Sequence, residues 1–384
     1  MRTTVHYITN IAPLYRKNLW NRLLHNKDID IKFFFGKGKS GIKEIDTTDE
    51  EYKNYQSSFF ELKNYWFKSK ILVWQSKVIA NSFSQKPDLT ILLGEFAVLS
   101  NWILALIYKV RRIPVVIYGH GMYGNEKGVK ALLRKLYLKT ADAHLVYENH
   151  AKNVMIQYGF NAKDIYVFYN SLDYDTQIKQ RNELLTETKK SKDFFEDKSR
   201  PVVVFIGRLT EEKKLHYLIE ISKRLEHDTP INLLFIGKGP VMESLKNKAK
   251  NDLKDKSYHF YGACYDESEL GELLFNSDLC ISPGNVGLTA IHALTYGTPV
   301  ATHSNIFEQG PEVEAIQEGD TGFFFEQHNL EDLAQKTKEW INHSSINREA
   351  IRKKCFNIIE TRYNPDNQLK IFKRLLAEQI KPES

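Results

Sequence analysis

The sequence predicts an α/β protein with two doubly wound, parallel-sheet domains, and three observations support this prediction. The chain has 384 residues, which is more than one hydrophobic core usually serves. Short β-rich segments alternate with helical segments along most of its length. The alternation lapses once, in a charged stretch over residues 177–200, and then resumes. We therefore expect a first domain over 1–176, a linker over 177–200 and a second domain over 201–363.

The first domain is predicted to contain six strands joined by helices. The predicted strands cover residues 3–9, 29–35, 89–93, 114–118, 143–147 and 165–168. Helical periodicity fills the gaps, beginning near Leu14 and again over 129–138 and 149–158. Because strands and helices alternate, the strands should run parallel with helices on both faces of the sheet.

The second domain repeats this pattern. Its predicted strands cover residues 202–206, 232–236, 259–261, 279–282, 299–302 and 322–325, and its predicted helices cover 215–225, 241–250, 267–275, 289–295 and 330–341. Ligands of such sheets bind beyond the carboxyl ends of the strands, so motifs that directly follow a strand are the candidates for a site.

Charge is unevenly distributed along the chain, whose net charge is +6. Residues 1–180 contain 26 Lys and Arg against 16 Asp and Glu, whereas residues 181–384 contain the remaining 28 and 32. This excess of positive charge in the first half predicts an anionic partner, such as a membrane surface, a phosphorylated substrate or nucleic acid. Nucleic acid is the least favoured, because no base-stacking aromatic pattern accompanies the charge.

Apolar and cysteine content exclude two further classes. The longest apolar stretch, around residues 98–108, is far shorter than the ~20 residues of a membrane-spanning helix. The cysteines, Cys264, Cys280 and Cys355, lack CxxC spacing, which argues against a zinc site or a disulfide framework and favours small core residues. The N-terminus also has no apolar signal segment. We expect a cytoplasmic protein, with the inner face of the cytoplasmic membrane as a candidate location.

A glycine and two basic residues follow the predicted strand at 202–206. Gly207 allows a tight turn. Arg208 offers a planar fork of donors that suits phosphate oxygens, and Lys213 adds a compact positive charge before the next helix. Both cations would face an anion above the sheet edge, although two solvated basic side chains on a loop would give the same pattern.

A glycine-rich turn opens a helix after the strand at 279–282. The segment reads Ser282-Pro283-Gly284-Asn285-Val286-Gly287-Leu288-Thr289. The N–H groups of Gly287, Leu288 and Thr289 would point out of the helix start and form an anion site, to which the Thr289 hydroxyl can add a contact. A plain glycine turn with a capped helix is the alternative interpretation.

Two shorter loops also follow predicted strands. One is Gly237-Lys238-Gly239-Pro240, and the other is Gly262-Ala263-Cys264. The second loop could offer backbone N–H and C=O groups to a base, but neither loop is specific alone.

The order and spacing of these motifs resemble the nucleotide-sugar half of family 4 glycosyltransferases, which are retaining enzymes of the GT-B fold. The similarity extends through an Ala-x-x-x-Gly-x-Pro-Val run over 293–300. The first half is similar less specifically, through Gly119-His120-Gly121 and Asn170-Ser171-Leu172-Asp173. The resemblance implies two Rossmann-like domains that face each other across a cleft, with a C-terminal helix over 364–381 packed back onto the first domain.

The resemblance also implies a donor site and a catalytic set. The implied donor-binding residues are Gly207, Arg208, Lys213, Gly237, Gly239, Gly262, Ala263, Cys264, Gly284, Asn285, Val286, Gly287, Leu288, Thr289 and His292. His120, Arg208 and Lys213 would be catalytic, with the two cations stabilising the leaving diphosphate of a UDP- or GDP-sugar. No Asp-x-Asp run is placed like a metal site, so we expect neither a metal nor another cofactor.

The sequence departs from the family at positions that usually read the donor. The family carries glutamates eight positions apart where this chain has Gly284 and His292; the first contacts the transferred sugar and the second contacts the ribose. His292 can still hydrogen-bond a hydroxyl, whereas Gly284 cannot, and Asn285 is the nearest alternative. Lys214 also stands where the family usually has glycine.

The acceptor is expected to meet the basic first domain. The candidate acceptor residues are Asn10, Arg16, Glu95 and Tyr123. Residues 129–139 form a basic amphipathic helix, whose apolar face is either domain core or a surface that meets an anionic membrane. The acceptor implied by the family is a glycan or polyprenyl-linked glycan of a capsule, exopolysaccharide or O-antigen.

Two other functions are weighed against this one. The missing glutamates favour a catalytically weak nucleotide-sugar-binding scaffold of the same fold, but Arg208 and Lys213 argue against it, since a scaffold has less need of a leaving-group clamp. A dinucleotide oxidoreductase would need a GxGxxG motif after the first strand. Residues 10–35 contain no glycine, which argues against that class.

Overall fold

The computed structural model describes residues 2–38, 43–67, 72–84, 86–186 and 194–380. The chain divides into two compact units. Unit 1 comprises Met1–Asp173 and Pro365–Ser384, and unit 2 comprises Tyr174–Asn364.

Fifteen strands and twelve α-helices occur within the described ranges. The strands are β1 Thr3–Ile8, β2 Ile29–Gly36, β3 Phe59–Leu62, β4 Asn64–Phe67, β5 Leu72–Gln75, β6 Leu89–Leu93, β7 Val115–Gly119, β8 Ala143–Val146, β9 Ile165–Val167, β10 Val202–Ile206, β11 Asn232–Ile236, β12 Tyr258–Gly262, β13 Leu279–Ser282, β14 Val300–His303 and β15 Gly322–Phe325. The helices are α1 Lys17–Leu24, α2 Val78–Ser84, α3 Leu99–Val110, α4 Gly128–Leu138, α5 Asn149–Gln157, α6 Tyr174–Thr186, α7 His216–Leu225, α8 Met242–Asp252, α9 Glu267–Phe275, α10 Leu288–Thr295, α11 Leu330–Thr361 and α12 Pro365–Gln379.

Each unit is built on one parallel sheet. In unit 1 the strand order is β3-β2-β1-β6-β7-β8-β9, and in unit 2 it is β12-β11-β10-β13-β14-β15. The predicted pair of doubly wound parallel sheets is confirmed, because apolar strands buried on both faces alternate with helices that cover those faces. The sequence reading missed β3 and the antiparallel pair β4 and β5, which are four-residue strands in an aromatic segment.

The core of unit 1 contains large aromatic side chains that continue into the C-terminal helix. Trp20 on α1 stacks on Phe33 of β2, with ring centroids 3.9 Å apart. Phe372 and Leu375 of α12 are fully buried in the same cluster. Burial of these side chains secures the C-terminal segment in unit 1 although it follows the whole of unit 2 in sequence.

The segment expected to be a linker begins as part of unit 2. Helix α6 contains residues 177–186, and its Gln177, Gln180 and Arg181 are buried. The Arg181 Nη2 atom donates a 2.5 Å hydrogen bond to Glu360 on α11. Residues 187–193 of the expected linker lie outside the described ranges.

Candidate functional site

The carboxyl ends of the central strands of unit 2 bring the predicted donor motifs together. Strand β10 lies between β11 and β13, so chain order reverses direction across the sheet at β10. Loops after these strands meet at that switch point, which is the usual ligand site of a doubly wound sheet. The motifs at 207–213, 237–240, 262–264 and 284–289 therefore share one sheet edge.

Glycines let the loops at this edge pack backbone against backbone. Gly237 has φ of 144°, and a Cβ atom there would lie 1.8 Å from the carbonyl oxygen of Gly207. A Cβ at Gly239 would lie 2.0 Å from the carbonyl oxygen of Leu209. The Gly237 N–H also donates to the Gly262 carbonyl at 2.7 Å. These glycines shape the site because no larger residue fits without displacing a neighbouring loop.

Lys213 points at the glycine-rich turn before α10. Its Nζ atom donates to the backbone carbonyl and to the side-chain Oδ1 of Asn285, both at 2.7 Å. Burial lowers the pKa of Lys213, against the opposing effect of Glu212. A partly desolvated ammonium held between neutral oxygens attracts an anion strongly, because little water screens it.

Arg208 differs from Lys213 in being exposed. Its side chain forms no ion pair with a carboxylate among the residues that the structure describes. It lines a pocket of about 340 Å³ together with Ile206, Gly207, Ile236, Gly237, Lys238, Ala263, Cys264 and Tyr265. The guanidinium is thus available to a ligand that occupies this pocket.

The turn at 284–287 is held from both sides. The Gly284 N–H donates to the Lys213 carbonyl at 3.0 Å, and the Thr302 hydroxyl donates to the Gly284 carbonyl at 3.1 Å. The Gln309 side chain accepts from the Val286 N–H at 2.7 Å. Helix α10 then begins with Gly287 as its N-cap, and the first N–H groups of a helix have no acceptor within it. The helix start is consequently a pre-positioned anion site.

In unit 1, His120 follows β7 within a cluster of aromatic and basic side chains. Its ring lies 4.8 Å from the ring of Tyr147 and 5.4 Å from that of Tyr123. Burial lowers the pKa of His120 to about 4, with further lowering by Arg134 and Arg16. The imidazole is therefore neutral at neutral pH, so it can donate one hydrogen bond and accept another.

Two family models match the chain, Glycosyltransferase Family 4 over residues 22–176 and Glycosyl transferases group 1 over residues 186–358. An uncharacterized glycosyltransferase of Methanocaldococcus jannaschii is 23% identical over 98% of this chain and 97% of its own length. The N-acetyl-alpha-D-glucosaminyl L-malate synthase of Bacillus anthracis is 23% identical over 69% of this chain and 68% of its own length.

Two solved structures share the fold over nearly the whole chain. HepE of Anabaena, in complex with UDP, has a TM-score of 0.65 at 15% identity and covers 98% of this chain and 100% of its own. The lipopolysaccharide outer core galactosyltransferase WaaB has a TM-score of 0.69 at 16% identity and covers 98% and 99%.

The chain belongs to the family 4 type of GT-B glycosyltransferases. The two family models together cover residues from both parallel sheets. It is an enzyme with a nucleotide-sugar-binding fold, as the sequence analysis predicted.

The first departure of this glycosyltransferase from its family, Gly284, has a packing cause. A Cβ atom at this position would lie 1.9 Å from the Glu212 carbonyl oxygen and 2.8 Å from the Lys213 Cα. The turn therefore approaches the 211–213 segment too closely for any side chain. Asn285, the alternative sugar contact, holds the Lys213 ammonium with its Oδ1.

The second departure, His292, is paired with a carboxylate that sequence reasoning missed. Its Nε2 lies 2.9 Å from Oε1 of Glu267, which also accepts a 2.8 Å hydrogen bond from Tyr296. Burial raises the pKa of Glu267, but the hydrogen bonds from His292 and Tyr296 outweigh it, so the pKa is lowered. Glu267 begins α9 directly after the loop at 262–266, and that position was the available signal.

Two predicted donor residues, Thr289 and Val286, have different surroundings from those expected. The Thr289 hydroxyl donates to the Ile206 carbonyl at 3.1 Å, so it is not free to donate to a phosphate. Val286 is buried, its N–H and C=O are both hydrogen-bonded, and it supports the turn. Cys264 is half-buried in the pocket wall, unlike the core residue that its sparse spacing predicted, whereas Cys280 and Cys355 are buried.

The predicted acceptor residues lie in segments that follow strands of unit 1. Asn10 follows β1, and its carbonyl accepts from the Asn64 side chain at 2.7 Å. Arg16 is buried and donates to the hydroxyl groups of Tyr7 and Tyr147. Burial raises the pKa of Glu95, against the opposing effect of Arg134. Arg134 itself lies over the Tyr123 ring at 4.5 Å and is a further member of this cluster that sequence reasoning missed.

The apolar face of the basic helix is exposed rather than part of the core. On α4 the exposed apolar side chains are Val129, Leu132, Leu133 and Leu136, and on α3 they are Leu99, Ile103, Leu106 and Val110. We call these eight residues the α3–α4 apolar face. The two helices adjoin where the Trp102 and Tyr137 rings lie 5.1 Å apart. The interpretation of the α4 face as domain core is therefore wrong, because Arg134, Tyr137 and Leu138 provide the buried side of the helix.

The described ranges contain neither a candidate membrane span nor a cluster of metal ligands. No helix there is both long enough and apolar enough to cross a membrane. Within the same ranges, no group of three or more His, Cys, Asp or Glu residues could hold a metal ion.

Proposed function

We propose that this glycosyltransferase moves a sugar from a UDP- or GDP-sugar to a glycan or polyprenyl-linked glycan during surface polysaccharide synthesis. The observation that carries the donor half is the convergence of Arg208, Lys213 and the start of α10 on one sheet edge. The names of similar proteins favour the pathway class, since HepE was solved with UDP and WaaB is a lipopolysaccharide galactosyltransferase.

The leaving diphosphate gains negative charge as the glycosidic bond breaks. In our proposal Lys213 and Arg208 neutralise that charge, and the N–H groups at the start of α10 solvate it. These groups are held in place before the reaction, so little reorganisation is needed, and the transfer proceeds without a metal. The same proposal includes retention of configuration at the anomeric carbon, which the resemblance to family 4 supports, and it makes neutral His120 the group that meets the reacting sugar.

A thermal-shift panel of UDP-, GDP-, ADP-, dTDP- and CMP-sugars tests the donor proposal. We expect one base to raise the melting temperature clearly, because a ligand at 100 times its dissociation constant stabilises the fold by about 2.7 kcal/mol. Hydrolysis or transfer of that donor, followed by release of the nucleoside diphosphate, then tests catalysis. A flat response to all five nucleotide sugars would contradict the proposed function.

We further propose that the α3–α4 apolar face binds an anionic membrane surface, where a lipid-linked acceptor lies. Basic side chains flank it, namely Lys109, Arg112, Lys127, Lys130 and Lys139, and all of them are exposed. Exposed aliphatic side chains bordered by lysine and arginine are typical of helices that lie in the plane of a membrane. An apolar patch on two adjacent helices is also larger than scattered surface residues explain.

Vesicle flotation with the double variant Leu132→Ser and Leu136→Ser tests this membrane contact. We expect the wild type to float with vesicles that contain phosphatidylglycerol, and less so at 0.5 M salt, because exposed charges are screened there. The variant should lose most of the bound fraction. Exposed Ile346 of unit 2, changed to serine, is the matched control, and equal flotation of both variants would contradict the proposal.

A further inference from the structure

Arg16 is a buried arginine at the amino-terminal edge of α1. It ends a single 3-10 turn, Leu14–Arg16, and only 6% of the residue is exposed. Its Nη2 donates to the Tyr147 hydroxyl at 2.7 Å, and its Nη1 donates to the Tyr7 hydroxyl at 3.3 Å. The guanidinium also lies 4.7 Å from the centroid of the Tyr118 ring. Its neighbours are therefore neutral aromatic residues.

No carboxylate in the described part of the chain balances this charge. Among the described residues, Arg16 forms no ion pair, and its buried Nε has no hydrogen-bond acceptor. The nearby Arg134 is different, because Glu126 accepts from its Nε at 2.6 Å and from its Nη2 at 3.1 Å. Burying a charge without a counterion costs free energy, so a buried and unpaired guanidinium favours a role in binding an anion.

The described groups around Arg16 are neutral or positive and supply no negative charge. His120 lies close enough to Arg16 for the guanidinium to lower its pKa, so the imidazole there is neutral. The Tyr118 hydroxyl is buried without a hydrogen-bond partner. Burial raises the pKa of Glu95, and the cation that opposes this shift, Arg134, already pairs with Glu126. The Arg16 Nε and the Tyr118 hydroxyl are thus two buried hydrogen-bond donors without an acceptor, and the side chains around them are neutral or positively charged.

We propose that Arg16 receives an oxyanion, a phosphate or a carboxylate, that the acceptor of this glycosyltransferase carries. A guanidinium offers parallel N–H donors that match two oxygens of such a group, and the bonds are strong where water is excluded. The identification of this ligand as part of the acceptor rests on the proposed function. In the proposed function the donor diphosphate is bound by two cations of unit 2, Lys213 and Arg208. We therefore assign the anion that binds Arg16 to the acceptor.

The test titrates small oxyanions against the full-length protein carrying Lys213→Ala, which weakens binding of free phosphate at the donor site. The probes are inorganic phosphate, glycerol 3-phosphate and malate, and the readouts are calorimetric affinity and melting temperature. Adding Arg16→Gln should weaken the best probe at least tenfold, while UDP affinity in an otherwise wild-type chain stays within twofold. Arg374→Gln is the matched control. Arg374 also belongs to unit 1 and also lies over a tyrosine ring, that of Tyr166, but its side chain is exposed.

A structural role for Arg16 gives different results. If the guanidinium only supports the fold, Arg16→Gln should lower the melting temperature without ligand and leave oxyanion affinity in the folded fraction unchanged. We expect the opposite, namely an equal or higher melting temperature without ligand. If Arg16→Gln does not fold, Arg16→Lys is the substitute, because it keeps the positive charge but lacks the parallel N–H donors of the guanidinium. Unchanged probe affinity in Arg16→Lys would overturn the proposal.

Two more outcomes would overturn the proposal. One is weaker UDP binding by Arg16→Gln with unchanged oxyanion binding, which would assign the residue to the donor. The other is that none of the three probes binds the Lys213→Ala protein. Failure of the nucleotide-sugar panel with intact, Arg16-dependent oxyanion binding would instead contradict the proposed function and leave the anion site standing.

Discussion

Replacing Lys213 with alanine is expected to lower the turnover of sugar transfer by roughly 10²–10³-fold, as for loss of one donor that stabilises transition-state charge. The ammonium lies at the start of α10 and is held there by two oxygens of Asn285. Because burial desolvates it, its interaction with the departing diphosphate is less screened than that of a surface lysine. Release of nucleoside diphosphate from the donor selected by thermal shift measures the effect.

Lys214→Ala is the matched control for this prediction. Lys214 is the next residue in the chain, and its Nζ lies 2.8 Å from Nδ1 of His328 instead of facing the turn. Its removal should change turnover by less than threefold if position, rather than net charge, determines the effect. Equal turnover in wild type and Lys213→Ala would contradict the leaving-group role and favour a binding scaffold with little catalytic activity.

Replacing Gly284 with alanine is expected to lower the free energy of unfolding by roughly 2–4 kcal/mol, since overpacking against backbone cannot relax cheaply. The new Cβ would lie 1.9 Å from the Glu212 carbonyl oxygen, so the 211–213 segment must move. That movement should also break the hydrogen bond from the Gly284 N–H to the Lys213 carbonyl and displace the Lys213 ammonium, to which we assign the leaving-group role. We therefore expect turnover to fall more than tenfold, with chemical denaturation and donor turnover as the two measurements.

Gly287→Ala is the control for the stability effect alone. A Cβ at Gly287 would meet only the Glu312 carboxylate, at an ordinary 3.7 Å, so no backbone atom opposes it. Gly284→Glu, which restores the residue usual in the family, should behave as Gly284→Ala does, because both introduce the same Cβ. Recovery or gain of activity in Gly284→Glu would show that the turn can move and would contradict this packing argument.

Much of the fold was predictable because its signals are local. The strands at 202–206, 232–236, 279–282 and 322–325 have the predicted bounds, since each is a short apolar run that ends in a polar or glycine turn. The four-residue strands β3, β4 and β5 were missed, because pairing with neighbours, rather than their own composition, defines them.

The candidate site likewise contains some residues that could be predicted from the sequence and others that could not. Arg208, Lys213 and the start of α10 could be predicted because each follows a strand, and parallel strands place their carboxyl ends at one edge. Glu267 could not be paired with His292 from the sequence, because the two belong to different helices, 25 positions apart. That no acid of the described ranges lies beside Arg16 likewise depends on which strands surround it.

Two parallel sheets, the glycines of the candidate donor site and the positive charge of the first half can be recognised in the sequence, since periodicity, residue type and charge are properties of short segments. The three-dimensional arrangement is what leaves Gly284 no room for a side chain, exposes the apolar face of α4 and buries Arg16 without a carboxylate among the described residues. Each of these depends on distances between segments remote in the chain, and such distances follow from packing, which no local pattern records.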